Sequence, residues 1–146
     1  MEVCLIPLLH TFYLIPNHVH PRLLAQYKNN PEDVHYGKIE IKDESIQLLY
    51  PTFEQIPTRN PTKSTFPAGN GIHYYGMTVF DHTSSPLLKK MCLYWKNLYQ
   101  HTSTHIQAEN EQLTVEKDIF LYQINVLLFF ANQVQTGHYY IYHMGI

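Results

Sequence analysis

Charge is what this sequence has least of. Only 15% of its 146 residues are Asp, Glu, Lys or Arg, against about 25% in an average soluble domain. The formal net charge is −2, so no basic excess exists to neutralise a phosphate backbone, and no nucleic acid is expected as a partner. Nor is there an acidic run to imitate DNA or act as a solvating tail. Cysteine is also scarce. Cys4 and Cys92 are the only two. Both sit in apolar patterns, which excludes a disulfide framework and predicts buried thiols behaving as small hydrophobes.

Long apolar runs are missing as well. The most hydrophobic stretch, Ile119 to Ala131, is too short to span a bilayer and contains Gln123 and Asn125. The apolar start, Met1 to His10, carries Glu2, is interrupted by Pro7, and has no cleavage site of small residues after it. A cytoplasmic protein without membrane contact is expected. Motifs of nucleophilic catalysis are absent too: no Gly-x-Ser-x-Gly elbow occurs, and no Ser or Cys is placed by a recognisable turn near a His. Gly69-Asn70-Gly71 precedes a strand pattern instead of joining strand to helix, so it reads as a turn and not as a phosphate loop. No cofactor is implied.

What remains is apolar and aromatic. The chain is 45% apolar, with twelve Tyr and ten His, and its length suits one domain covering residues 1–146. Val3 to Leu9 reads as a strand, and Pro21 opens a short helix to Lys28. Val34 to Lys42 and Ser45 to Tyr50 read as a hairpin around Asp43-Glu44, with Ile39 and Ile41 on one face and Ile46, Leu48 and Tyr50 sharing another. Pro51 to Gly71 holds four prolines and no period, so it reads as a long stiff loop. Ile72 to Phe80 is the next strand. Thr83 to Pro86 starts a helix that runs to about Gln100, with Leu88, Met91, Trp95 and Leu98 at helical spacing. A second helix, from about Glu111 to Gln135, is apolar nearly all round and stops at Gly137. His138 to Ile146 is the last strand.

The order β-α-β-β-β-α-α-β predicts an α+β two-layer sandwich, a mainly antiparallel sheet of about five strands with two C-terminal helices packed on one face. The breadth of the second helix makes it either the core's centre or a homodimer interface around Ile119 to Val134, and the latter gives a homodimeric structural protein as a further alternative.

Two pairs among the histidines have metal-like spacing. His18 and His20 would share a face in a strand, and His101 and His105 would share one on a helix, with Glu109 four residues further on. The first pair has no third ligand close by in sequence, and the second lacks the Glu of a zincin and spans Thr102 to Thr104, which read as a turn. These four are weak metal candidates, and a metal-dependent or histidine-based hydrolase is the alternative they motivate. The tyrosines point elsewhere. Tyr36, Tyr74, Tyr140 and Tyr142 fall on predicted strands, and an open sheet face bearing Tyr beside a proline-rich loop has the composition of a recognition surface. Arg59 in that loop joins them as a candidate binding residue. The leading expectation is a non-enzymatic module that binds another protein, of the kind that neutralises or escorts a partner, as bacterial immunity-type proteins do.

Overall fold

A computed structural model describes residues 8–100, 105–107 and 114–146. In chain order the elements are strand β1 (Leu9–Pro16), helices α1 (Pro21–Ala25) and α2 (Pro31–Val34), strand β2 (Gly37–Lys42) and helix α3 (Asp43–Phe53). Then come strands β3 (Pro57–Arg59), β4 (Ala68–Asn70) and β5 (Met77–Phe80), helix α4 (Ser85–Tyr99), strands β6 (His105–Gln107) and β7 (Thr114–Glu116), helix α5 (Lys117–Gln135) and strand β8 (Tyr139–Met144). Six strands form one sheet in the order β2-β1-β8-β5-β3-β4, and every pairing in it is antiparallel. β6 and β7 pair antiparallel as a separate two-stranded sheet.

The fold is the α+β sandwich expected, with α4 and α5 packed on one face of a mainly antiparallel sheet. The sheet alternation builds it. Phe12 and Leu14 of β1, Ile41 of β2, Phe80 of β5 and Ile141 of β8 face the helices, where they meet Ile46, Leu49 and Phe53 of α3, Leu88, Cys92 and Trp95 of α4, and Phe120, Ile124, Leu127 and Phe130 of α5. Trp95 donates its indole N–H to Thr52 Oγ1 at 3.0 Å, and so ties α4 to α3.

Several elements differ from expectation. Ser45 to Tyr50 belongs to helix α3 and not to a hairpin strand. Asp43 and Glu44 sit in its first turn, where carboxylates oppose the helix dipole, and its fully buried residues Ile46, Leu49 and Phe53 follow helical spacing. The strand after Pro51–Gly71 is shorter than Ile72 to Phe80, since residues 72–76 form a turn before β5. The proline-rich stretch is not one loop: Pro51 lies inside α3, and two short strands, β3 and β4, follow. The first described strand starts at Leu9, and residues 3–7 of the expected Val3–Leu9 strand lie outside the described residues, as does Cys4. The first helix is cut to Pro21–Ala25, because Tyr27 takes φ 59. Within the described residues α5 begins at Lys117 and not near Glu111. Its stop is as expected: Gly137, at φ 85, donates its N–H to the Val134 carbonyl.

The opposite sheet face is not open. Tyr13, Ile15, Val79, Tyr140 and Tyr142 form a second apolar cluster on it, closed by Val19 and by Leu24 of α1.

Candidate functional site

The most concentrated buried polarity lies on the helix-facing side of the sheet, and strand register puts it there. Thr78 of β5 stands directly opposite His143 of β8. On the other side of β8, Phe12 of β1 is opposite His143, which leaves His10 on the diagonal. Asp43 follows at the junction of β2 and α3 and comes up against His10. The contacts form a chain. His10 Nδ1 lies 3.0 Å from His143 Nε2, His10 Nε2 lies 3.1 Å from Asp43 Oδ1, and His143 Nδ1 lies 3.3 Å from Thr78 Oγ1.

One arrangement of protons satisfies every atom. The Asp43 carboxylate only accepts, so His10 carries its proton on Nε2 and accepts at Nδ1. His143 therefore donates from Nε2 and accepts at Nδ1 from the Thr78 hydroxyl. Thr78 Oγ1 in turn accepts from the His73 backbone N–H at 2.8 Å. Every donor points toward Asp43, which also accepts from the Tyr74 hydroxyl and, at 2.7 Å on its other oxygen, from Gln47 Nε2. Phe12 packs on His143 with ring centroids 4.8 Å apart, and Tyr74 meets His10 edge-on at 4.9 Å.

Burial sets the electrostatics. Desolvation holds His143 down to about 3, with His10 and His73 adding to it. Burial also lowers His10, and the neighbouring Asp43 offsets part of that. Both rings are neutral at ordinary pH. The sequence Thr–His–His–Asp has the order of a nucleophile, a base and its orienting groups, but His10, Thr78 and His143 are each 0% exposed. A nucleophile needs a place about 3 Å away for the reacting atom, and Thr78 has none at the surface. The chain is a clasp joining β1, β5, β8 and α3.

The protein-family models searched include none that matches this chain, and no curated protein and no solved structure matches it. The functional reading therefore rests on the residues themselves.

The candidates from sequence are scattered. His20 caps α1, its Nδ1 accepting from Arg22 N at 3.2 Å, and its ring lies against Phe66. His18 instead lines a shallow cleft with His138, Tyr36 and Tyr139. His105 starts β6, while His101 and Glu109 lie outside the described residues. Among the described residues no group of three or more His, Cys, Asp or Glu is placed to hold a metal ion. Tyr36 is exposed and packs edge-on against Tyr139 at 5.4 Å. Tyr74 belongs to the histidine clasp. Tyr140 and Tyr142 are 4% and 1% exposed, so the open tyrosine face expected of them is closed by the second core. Arg59 braces its own loop, pairing with Asp81 at 3.7 Å, donating to the Phe66 carbonyl at 3.3 Å and lying over the Phe66 ring. Cys92 is buried in the core, and burial pushes its thiol up to about 12, which makes it inert.

Exposed apolar side chains collect on the outer helices. Of the eleven large hydrophobic residues exposed among those described, Leu87, Leu93, Tyr94 and Leu98 are on α4, and Ile119, Tyr122 and Phe129 are on α5. Leu87, Lys90, Tyr94 and Leu98 fall on one stripe at helical spacing. Beside it a groove of about 360 Å³ runs between α4 and the end of α3, floored by Met91 and Ile56. α4 carries Lys89, Lys90 and Lys96 and no acidic residue. Among the described residues no helix is long and apolar enough to cross a membrane.

Proposed function

We propose that the protein is a non-enzymatic protein-binding module of the cytoplasm, of the kind that neutralises or escorts a partner, as bacterial immunity-type proteins do. The observation that supports this reading is the apolar outer surface of α4, with Leu87, Tyr94 and Leu98 in line on a helix that has three lysines and no acid. Aromatic and aliphatic anchors of this kind supply most of the energy at interfaces, and charge selects the partner. The fitting occupant is a protein surface with apolar pockets rimmed by carboxylates. A second copy docking α4 on α4 would bring the lysines together, at a repulsive cost.

The test compares the wild type with a Leu87→Asp/Tyr94→Asp variant. Both are used as bait in extract from the source cells, and light scattering records the oligomeric state of each. The expected result is one stoichiometric partner that only the wild type retains and that dissociates as salt rises, with both baits melting alike. Identical captures from the two baits would overturn the reading. So would a wild type that is dimeric through this surface, or one that binds anionic vesicles in place of a protein.

A further inference from the structure

The sheet face away from the long helices carries a second feature, independent of the α4 surface. Between that face and the α1–α2 connection lies a cavity of about 390 Å³. Its floor is Tyr13, Tyr142 and Met144 of the sheet, and Leu24, Tyr27 and Pro31 wall it. The volume is that of a small-molecule site, and the lining has the usual character of one, apolar and aromatic with few polar groups.

Three observations distinguish this cavity from ordinary surface relief. The first is the Tyr142 hydroxyl. Tyr142 is 1% exposed, and its Oη is buried with no hydrogen-bond partner among the described residues. The other two sheet tyrosines nearby are satisfied: Tyr13 donates to Glu32 Oε1 at 2.7 Å and Tyr140 to the Val19 carbonyl at 2.6 Å. A buried phenol left unpaired is costly, and such a group is one that a ligand can engage.

The second is Tyr27. It sits at φ 59, in the left-handed region that glycine or asparagine adopts far more readily than tyrosine. The turn itself needs no aromatic there, since its bonds are all backbone: Tyr27 N donates to the Leu24 carbonyl and Lys28 N to the Leu23 carbonyl. Tyr27 is 79% exposed, so its packing does not repay the strain. What the tyrosine does supply is a wall of the cavity. Backbone strain held without local need is characteristic of ligand-binding positions. Tyr27 and Tyr142 both line this cavity, and burial first, then the Tyr27 phenol, raise the Tyr142 hydroxyl above its usual range.

The third is charge. None of the lining residues is Asp, Glu, Lys or Arg, and Asn29 and Asn30 provide the remaining polarity. An ion entering here would meet no counter-charge in the lining, and the nearby Glu32 carboxylate is already engaged by Lys38 and the Tyr13 hydroxyl.

We infer that this cavity is a binding site for a neutral, planar aromatic compound that stacks between Tyr27 and the sheet and hydrogen-bonds the Tyr142 hydroxyl. Indole is a suitable probe, with a flat apolar ring and one N–H for Tyr142 Oη to accept.

The experiment titrates the full chain with indole by amide-resolved NMR, with indole-3-acetate and tryptamine as charged counterparts of similar shape. Indole is expected to give saturable shifts at Tyr27, Asn30, Tyr142 and Met144, and the charged probes to bind about tenfold or more weakly. Tyr142→Phe, which keeps the ring, is expected to weaken indole about three- to tenfold. Tyr27→Asn relieves the strained backbone, so it is expected to melt no lower than the wild type while losing indole binding. Absence of saturable shifts at the cavity would overturn the assignment, showing that it holds water only. Equal binding of charged and neutral probes, or undiminished binding by both variants, would overturn it too.

Discussion

His10 and His143 each accept one hydrogen bond and donate another, and that arrangement lasts only while both are neutral. A proton added to His10 Nδ1 faces the His143 Nε2–H 3.0 Å away, donor against donor, and one added to His143 Nδ1 removes the acceptor of the Thr78 hydroxyl. In the unfolded chain these imidazoles take up protons near pH 6.5. In the folded protein burial keeps them neutral below that, His143 down to about 3. Between those limits the unfolded state holds more protons than the folded state. Stability is therefore fully present above pH 6.5 and lost as pH falls, at up to about 1.4 kcal/mol per pH unit for each such ring. The melting temperature should drop steadily between pH 6.5 and 5, before most carboxylates titrate. In His143→Gln the slope should be clearly shallower, although that variant is less stable at every pH. A flat profile in the wild type would mean that these rings are not held neutral by folding.

At the scale of elements, α3 is the instructive case. Ile46, Leu48 and Tyr50 alternate as a strand would, while Ile46, Leu49 and Phe53 repeat as a helix would, and both patterns are present in the same eleven residues. The structure selects the second. Leu49 is 1% exposed and packs in the core, whereas Leu48 is only half-buried at its edge. Leu49→Ala should then cost about 2–5 kcal/mol in urea denaturation, and Leu48→Ala distinctly less. The hairpin reading requires the reverse order, so the pair of variants separates the two. The helix also explains why Asp43 can serve the clasp, because the chain turns from β2 directly into α3 and the carboxylate is left facing His10.

For the whole molecule, the decisive element is the last strand. β8 lies between β1 and β5, in the middle of the six-stranded sheet, and it contributes Ile141 to one core and Tyr140 and Tyr142 to the other. Beyond it, Gly145 N donates to the Gly76 carbonyl at 2.7 Å and Ile146 N to the Tyr74 carbonyl at 3.1 Å. A Cβ at residue 145 would stand 2.1 Å from the Tyr74 carbonyl oxygen, so only glycine fits that approach. Removing residues 138–146 deprives β1 and β5 of their shared neighbour and opens both cores at once. The shortened chain should show no cooperative melt by circular dichroism, and a soluble product with a sharp transition would refute the central placement of β8. The core on the helix side of the sheet also accounts for the breadth of α5. Its side toward the sheet and α4 is buried, and Ile119, Tyr122 and Phe129 are what remains outside.

Local periodicity determined a good part of this protein. The helical spacing through α4 and α5, the glycine stop at Gly137, the alternation of β2 and the strand after the last helix follow from sequence, because each depends on neighbours a few residues apart. The reading went astray where both faces of an element are covered. β1 has apolar residues on both sides and so carries no alternation to read, and α3 satisfies two periods at once. The sites were less legible still. The sequence showed an excess of histidine and tyrosine but could pair them only by short spacings, as with His18 and His20. His10 and His143 are 133 positions apart, and strand register alone brings them together. Whether Tyr142 faced solvent or a cavity beneath α1 depended in turn on where α1 came to rest, which is a matter of packing across the sheet and not of any local pattern.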